Sequence, residues 1–242
     1  MRKLARFSSY WVKIVISDNI SGMEFLTSIP LFAAMKKADL DKATLLAIPR
    51  SYRKEEPVVW RGEVWPYLLL IEEGSVTAVK ESREGRSLIP AKLDAGDVFW
   101  GLAFFNDDVP MPVTLKAHDD VRLYLWSRER LLPLLLDNSL ALWELSRLMI
   151  TRMEKASVVV EDLAFQPVAG RLASLLLDHY EGTIDAPVPR DLTLDEMAAY
   201  IGTTNEMVCR VLYRFSDKKL IHITRTEFAL NDEAGLAQLA QR

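Results

Sequence analysis

Four side chains near the start of a predicted helix are of types that can read DNA bases: Asn205, Glu206, Cys209 and Arg210. The opposite side of this helix is apolar and carries, at the spacing of a buried face, Val208, Val211, Leu212 and Phe215. An arginine can donate hydrogen bonds to guanine, and a glutamate can accept one from cytosine, so this exposed face suits the major groove. The segment therefore predicts a DNA-recognition helix.

A second short helix is predicted just before it, and a tight turn joins the two. Thr193 followed by Glu196 is the pattern of a capping box, in which two side chains satisfy backbone N–H groups at a helix start. Gly202 supplies the turn, because a side chain there would crowd the crossing helices. Thr203 or Thr204 caps the second helix. Together these features predict a helix-turn-helix.

Positive charge is concentrated on and just after the second helix. Residues 205–225 hold five lysines and arginines against two acidic residues, although the whole chain has a net charge of −4. The side chains predicted to contact the DNA backbone are Thr203, Thr204, Tyr213, Arg214, Lys218 and Arg225. Lys218 and Lys219 can equally be solvated charges at a helix end. Glu206 can instead complete a capping box, and Arg210 can instead bind phosphate.

The middle of the chain, from about residue 51 to 126, reads as short β-strands. Its apolar runs are separated by turn residues, and they are 58–60, 67–71, 75–79, 87–89, 113–115 and 121–126. Many short strands with glycine turns predict an antiparallel barrel or roll. Residues 23–47, ahead of the strands, predict short helices, and the segments 220–223 and 227–230 predict a β-hairpin wing after the recognition helix.

A long helix is predicted between residues 138 and 164. Its apolar positions alternate by three and four residues, and the resulting seam is Leu142, Leu145, Met149, Arg152, Ala156, Val159 and Leu163. Such a seam predicts a two-stranded coiled coil between two copies of the chain. The alternative is a helix that packs on its own β-domain. Arg152 is the anomalous member of this apolar seam. It is a flanking or hydrated position, a residue that fixes the register of the two helices, or a ligand contact, and the sequence does not choose among these.

Composition limits the remaining possibilities. Half of the 242 residues are hydrophobic, which is typical of a soluble globular protein, and no apolar run is long enough to span a membrane. The N-terminal segment only faintly resembles a signal peptide, so we expect a cytoplasmic protein without a membrane partner. Cys209 is the only cysteine, which excludes an intrachain disulfide and fits a reducing compartment.

The order of β-roll, long helix and winged helix-turn-helix resembles the Crp–Fnr family of bacterial transcription regulators. The resemblance runs from about residue 26 to 230, and its landmarks are Ile29–Phe32, Tyr67–Gly74, Ala95–Gly101, Asp162–Phe165 with Gly170–Ala173, and Thr193–Ile223. It implies an α+β fold with three parts. These are an effector-sensing, jelly-roll-like β-roll over residues 1–137, a dimerisation helix over 138–166 and a winged helix-turn-helix DNA-binding domain over 167–242.

The resemblance also implies the partners. We expect a homodimer that binds palindromic double-stranded DNA, and a small-molecule effector that changes the orientation of its DNA-binding domains. RNA polymerase is a further candidate partner. Asn205 stands where the cyclic-AMP branch of the family carries an arginine, so recognition resembles that of the Fnr-like or intermediate type.

The effector region departs from the cyclic-AMP pattern of the family. Gly101, Met111 and Pro112 stand where that pattern has a carboxylate, an arginine and a serine, and a buried phosphate without such donors is costly. Cyclic AMP is therefore not the expected effector. An apolar or aromatic molecule fits better, in a pocket predicted to comprise Trp100, Gly101, Phe104, Phe105, Met111, Pro112, Ala156 and Ser157. The alternative is that these side chains merely fill the roll.

Other cofactors and activities lack their residues. An iron–sulfur cluster needs about four cysteines, and the three histidines are too scattered to predict a metal site. A haem held through His118, a thiol switch at Cys209, and a ligand-binding dimer that no longer binds DNA stay as alternatives. No catalytic constellation stands out, so we do not expect an enzyme, and the cofactor is unassigned.

Overall fold

The computed structural model describes residues 22–180 and 187–241. The N-terminal extension and most of the predicted linker before the helix-turn-helix lie outside the described residues. Three short helices open the described chain, as the sequence predicted: α1 (Gly22–Ser28), α2 (Pro30–Ala33) and α3 (Lys37–Leu46). Pro30 occupies the first turn of α2, where its missing N–H costs no hydrogen bond.

Eight strands follow and form two four-stranded antiparallel sheets. They are β1 (Ile48–Tyr52), β2 (Pro57–Val59), β3 (Tyr67–Glu73), β4 (Ser75–Glu81), β5 (Ser87–Asp94), β6 (Val98–Trp100), β7 (Thr114–Ala117) and β8 (Val121–Ser127). One sheet has the order β1-β8-β3-β6 and the other β2-β7-β4-β5. The predicted antiparallel roll is confirmed. The strands β1 and β6 were not among the predicted runs, and β6 lies in the segment assigned to the effector pocket.

Strand β3 carries two hydrophobic cores, one on each face. Leu68 and Leu70 pack with Phe32 and Trp126 against the N-terminal helices, whereas Leu69 and Ile71 pack between the two sheets. This double burial explains why the strand reads as an unbroken apolar run. The rings of Phe32 and Trp126 lie 4.8 Å apart, and Trp126 Nε1 donates a 2.7 Å hydrogen bond to the backbone of α3.

Two helices leave the roll: α4 (Arg128–Leu136) and the long helix α5 (Ser139–Phe165), which confirms the predicted helix within two residues. Asn138 fixes the corner between them and is only 3% exposed. Its amide nitrogen donates to Asp39 and to the carbonyl of Leu134, and its oxygen accepts from the backbone of Lys36. The start of α5 is thereby tied to the N-terminal helices.

The first half of the predicted seam on α5 faces the chain's own roll. Leu145 is 3% exposed and belongs to the core beside the N-terminal helices, Leu142 packs against that core, and Arg152 bonds to Asp97 of the roll. In the single chain Leu145 and Arg152 are therefore covered by the roll, against the prediction that they face a partner helix, and Leu142 is half-buried beside them. The structure supports the alternative, a helix that packs on its own β-domain, for this face.

The C-terminal part contains four helices and a small three-stranded sheet. The elements are α6 (Val168–His179), β9 (Val188–Pro189), α7 (Leu194–Ile201), α8 (Asn205–Asp217), β10 (Ile221–Ile223), β11 (Glu227–Leu230) and α9 (Glu233–Ala240). The strand order is β10-β11-β9, so the predicted wing hairpin is present with a third short strand. Across the described ranges, no helix has the length and apolarity that crossing a membrane requires.

Candidate nucleic-acid interface and effector region

The turn between α7 and α8 is built by the capping residues that the sequence indicated. Thr193 Oγ1 accepts from Glu196 N at 3.2 Å, and the Glu196 carboxylate accepts from Thr193 N at 2.8 Å, so the capping box is complete. Gly202 has a φ of +63°, a left-handed conformation that glycine adopts at little cost. Thr204, rather than Thr203, caps α8, and its hydroxyl accepts from Met207 N at 3.4 Å.

Helix α8 separates a buried face from an exposed one. Four of its apolar residues are at most 5% exposed and fill the core of the C-terminal part (residues 168–240), which we call the head: Val208, Val211, Leu212 and Phe215. Asn205, Glu206 and Arg210 are exposed together on another side, and Cys209 is half-buried beside them. The structure thus places the predicted base-reading residues on one accessible helix face, which a groove can receive.

Two of these residues bind each other in the free protein. Arg210 Nη2 donates a 2.7 Å hydrogen bond to Glu206 Oε1, one helical turn away, and both side chains are well exposed. Because the cap of α8 is Thr204, Glu206 does not complete a capping box begun by Thr203. Exposed pairs of this kind contribute little to stability, on the order of 0.3–0.5 kcal/mol, so DNA can separate them easily.

The residues predicted to contact phosphates surround this face. Tyr213, Arg214 and Lys218 are exposed along and after α8, and Arg225 is exposed between the two wing strands. The wing turn is held by Thr224, whose hydroxyl accepts from the backbone N–H groups of residues 226 and 227. A basic side chain at the tip of an ordered turn suits a DNA backbone contact.

Gly101, which stands in place of a carboxylate, has no room for a side chain. A Cβ built on it would lie 1.8 Å from the carbonyl oxygen of Trp65, so the backbone of the two segments is in direct contact. Gly101 N also donates to Tyr67 O at 2.9 Å, which holds the end of β6 against β3. The glycine is therefore required by packing in this roll.

The predicted effector pocket is divided among different parts of the molecule. Phe104 is fully buried in the core beside the N-terminal helices, where Phe105 and Trp100 pack around it, whereas Met111 is 2% exposed in the core between the sheets. Pro112 is exposed on the roll, and Ala156 and Ser157 are exposed on α5. The pocket as predicted is thus corrected, because its two most buried members fill separate cores, in agreement with the alternative that they serve packing.

A cleft of about 230 Å³ lies elsewhere, between α2, the turn before β6 and helix α5. It is lined by residues 29–31, residues 96–98, Glu144, Arg147, Leu148 and Thr151. Its walls are partly apolar, but they carry both acidic and basic side chains. In the described ranges, His, Cys, Asp and Glu side chains form no group of three that could hold a metal ion.

Arg152 joins the long helix to the roll at one side of this cleft. Its Nη2 donates to Asp97 Oδ1 at 3.1 Å and to the carbonyl of Val98 at 3.2 Å, and the two charged side chains are 17% and 9% exposed. Burial raises the pKa of the Asp97 carboxyl, although the guanidinium opposes that change. The sequence indicated Arg152 as unusual but did not indicate Asp97. A cation on an apolar helix face could have predicted that a buried anion lies opposite it.

A second arginine joins the long helix to the head. Arg171 Nε donates to the carbonyl of Ile201 at 2.8 Å, and its Nη1 donates to the carbonyl of Gln166 at 2.6 Å. Nη1 also donates to the carbonyl of Asp162 at 3.3 Å, so one side chain binds free carbonyls at the ends of both α5 and α7. Gly202 lies nearby, and a Cβ there would meet Leu163 Cδ2 at 2.6 Å and Leu88 Cδ1 at 3.3 Å.

The head also contacts the roll, because α7, which carries Tyr200, packs against β5. Burial, followed by the carboxylates of Glu196, Asp94 and Asp119, raises the pKa of Tyr200 to about 12. Two of those carboxylates belong to the roll, so the head and the roll share this boundary while the exposed face of α8 stays accessible.

The chain matches known families over both of its halves. A model described as a cyclic nucleotide-binding domain matches residues 49–138, and one described as a Crp-like helix-turn-helix domain matches residues 170–239. The chain is 30% identical over 196 residues to the cAMP-activated global transcriptional regulator Vfr of Pseudomonas aeruginosa, covering 78% of this chain and 91% of that protein. It is 24% identical over 211 residues to the Cyclic AMP receptor protein of Thermus thermophilus, covering 87% and 96%.

Solved structures share the fold. A transcriptional regulator of the Crp/Fnr family from Eubacterium rectale superimposes with a TM-score of 0.75 at 22% identity, over 88% of this chain and 99% of that one. The c-di-GMP responsive global regulator CLP of Xanthomonas campestris superimposes with a TM-score of 0.70 at 20% identity, over 81% and 99%. The relative from Pseudomonas aeruginosa is, by its name, a transcriptional regulator.

Proposed function

Because this chain belongs to the Crp–Fnr family of transcription regulators, we propose that it acts as a homodimer that binds a palindromic operator and responds to an effector other than cyclic AMP. The observation that carries the DNA-binding part is the exposed face of α8, on which Glu206 and Arg210 lie one turn apart over a buried apolar face. Each head offers one such face, and a two-fold dimer presents two.

We assign base reading to Arg210 and Glu206. Arg210 donates to guanine and Glu206 accepts from cytosine, and the resemblance of this pair to the family motif suggests a half-site core of TGA paired with TCA. The test is enrichment of operators from random DNA, followed by binding measurements on Arg210→Ala. We expect a loss of roughly 1–3 kcal/mol that is confined to operators with the preferred G·C pair.

Arg214→Ala is the matched control, because Arg214 is also an exposed arginine on α8 but is assigned to phosphate. It should weaken binding to all sequences about equally and reduce the salt dependence. A uniform loss from Arg210→Ala would remove Arg210 from base reading. Selection of no motif by the wild-type protein would overturn the proposal as a whole.

The proposed dimer interface is the outer face of α5, one residue out of register with the seam predicted from sequence. Its members are all exposed and alternate by three and four residues: Trp143, Ser146, Ile150, Met153, Ser157, Val160 and Ala164. The large ones are 56–72% exposed, namely Trp143, Ile150, Met153 and Val160. An apolar stripe at coiled-coil spacing, on a helix whose other face is buried, supports pairing with a second copy.

Packing at the roll supports an effector other than cyclic AMP, although relatives of this chain are cAMP-activated regulators. Gly101 contacts the backbone of Trp65 and Met111 is buried in the core, so neither position offers a polar group to a cyclic nucleotide. A melting scan with cyclic AMP and cyclic GMP tests this. A ligand at 100 times its dissociation constant stabilises by about 2.7 kcal/mol, which such a scan detects.

The remaining parts of the proposal follow from the family. We keep the domain boundaries 1–137, 138–166 and 167–242, with the first part as the sensing domain and the last as the DNA-binding domain. A regulator that binds an operator works in the cytoplasm, beside the chromosome, and RNA polymerase is the partner through which it would act. Co-sedimentation of polymerase with the operator-bound protein tests that partner.

A further inference from the structure

A hydrogen bond joins the two helices of the DNA-binding motif at the edge of the exposed face. Asn205 is the first residue of α8, and its amide nitrogen donates to Oδ1 of Asp195, which lies in the first turn of α7. Both residues are exposed. The neighbouring caps do not need this bond, because α7 is capped by Thr193 and α8 by Thr204.

The chemistry of the pair fixes which way the amide of Asn205 points. An ionised carboxylate has acceptors only, whereas an amide has a donating NH₂ at one end and an accepting oxygen at the other. The NH₂ must therefore face Asp195, and Oδ1 of Asn205 must point away from it. An asparagine without such a neighbour can exchange the two ends by a half-turn of its side chain.

We propose that Asp195 is a positioning residue for base specificity, which holds Asn205 so that it presents an acceptor to the DNA. In the major groove, adenine and cytosine offer an exocyclic NH₂ donor, whereas guanine and thymine offer carbonyl oxygens. An Asn205 held in this orientation accepts a hydrogen bond from adenine or cytosine. Against guanine or thymine its oxygen faces another acceptor, and no hydrogen bond forms. This inference rests on the proposed DNA-binding function and adds to it a selected class of base.

The test compares base preference at the one pair that Asn205 contacts, identified as the pair whose preference disappears in Asn205→Ala. For the wild-type protein we expect adenine or cytosine over guanine and thymine by on the order of 3- to 10-fold, the worth of one neutral hydrogen bond. Asp195→Ala should reduce this ratio to about 2-fold or less, because the freed amide can turn. Preferences that depend on Arg210 should not change.

Asp195→Asn is the second variant, since it keeps the size of the side chain but can both donate and accept. It should lower the same preference, and melting scans on both variants confirm that the head stays folded. Asp217→Ala is the control for charge, because Asp217 is an exposed acid at the end of α8. It should raise affinity for all sequences by a similar factor and leave base preference unchanged.

A double-mutant cycle separates orientation from a general effect of charge. If Asp195 acts through Asn205, Asp195→Ala added to Asn205→Ala changes no base preference further. A uniform gain in affinity from Asp195→Ala, with the preference intact, would overturn the inference while leaving operator binding in place. Failure of the wild-type protein to select any motif would instead overturn the proposed function.

Discussion

The register of the dimer interface can be tested by substituting Met153 on the outer face of α5. Met153 is 72% exposed in the single chain. Full burial of a methionine side chain contributes about 1.5–3 kcal/mol, so covering the exposed fraction is worth about 1–2 kcal/mol in each subunit and about 2–4 kcal/mol in a symmetric dimer. At 1.4 kcal/mol for each factor of ten, Met153→Ala should raise the dimer dissociation constant by up to roughly 30- to 700-fold.

The assay is sedimentation equilibrium over a range of concentrations, together with operator binding. Leu145→Ala is the matched control, since Leu145 lies on the same helix but is 3% exposed in the core of the roll. It should lower the free energy of unfolding by about 2–5 kcal/mol, because it leaves a cavity in the core. Dissociation of the folded dimer should change little, since Leu145 faces away from the partner.

The two variants must therefore change different properties, dimerisation in Met153→Ala and folding stability in Leu145→Ala. Met153→Ala should yield folded monomers at concentrations where the wild-type protein is dimeric, with weaker operator binding. A dimer that persists in Met153→Ala but dissociates in Leu145→Ala without loss of fold would refute the outer-face assignment. It would return the interface to the seam that periodicity first predicted.

Further predictions concern the stability of the roll and its response to cyclic AMP. Arg152→Met should lower the free energy of unfolding near pH 7 by about 3–5 kcal/mol, because it leaves the Asp97 carboxylate buried without its partner. Adding Asp97→Asn to the same chain should restore much of that loss. Urea unfolding measures both effects. Since the pKa of Asp97 is raised in the folded state, its contribution favours the fold at low pH and is lost as pH rises through that pKa. The stability of Asp97→Asn should therefore fall less with rising pH than that of the wild type. Gly101→Ala should lower the melting temperature, because overpacking costs about 1–3 kcal/mol or more where a Cβ meets backbone. In the wild-type protein, a rise of the melting temperature with cyclic AMP would contradict the proposed effector class.

The helix-turn-helix could be predicted almost completely from sequence, because its signals are local. The capping box at Thr193 and Glu196, the turn at Gly202 and the apolar face of α8 each depend on residues a few positions apart. Short-range chemistry of this kind needs no knowledge of the rest of the fold. The long-range bond between Asp195 and Asn205 could not be read in the same way, since the turn decides which side chains of the two helices meet.

The register of α5 could not be predicted, because the helix has two apolar faces. Positions 142, 145, 149, 152, 156, 159 and 163 form one heptad pattern, and positions 143, 146, 150, 153, 157, 160 and 164 form another. The patterns differ by one residue, which is a rotation of about 100° around the helix. Periodicity alone does not tell the face that packs on the roll from the face left exposed, whereas the burial of Leu145 and the pairing of Arg152 do.

Two of the eight strands of the roll escaped prediction for a similar reason. Strand β1 carries Pro49 and alternates weakly, and it pairs at the edge of its sheet, where proline is tolerated. Strand β6 is three residues long and ends in Trp100 beside Gly101, so its aromatic residues suggested a ligand pocket. Aromatic residues near a glycine favour packing and binding alike, and only the position of Trp65 shows that this glycine serves packing.

Helix α5 links the roll to the head that carries α8 through the contacts of two arginines. Arg152 binds the turn at Asp97, and Arg171 binds the carbonyls of Asp162 and Gln166 at the end of α5 together with that of Ile201 at the end of α7. Shifting a two-state equilibrium from 1:99 to 99:1 requires about 5.5 kcal/mol of differential binding. Breaking a buried ion pair costs about 3–5 kcal/mol, so one such contact falls short of that shift, whereas the two copies in a dimer together exceed it. The cleft of about 230 Å³ adjoins this contact and is lined by Asp97, so under the proposed function it is the contact that an effector bound in the cleft would alter.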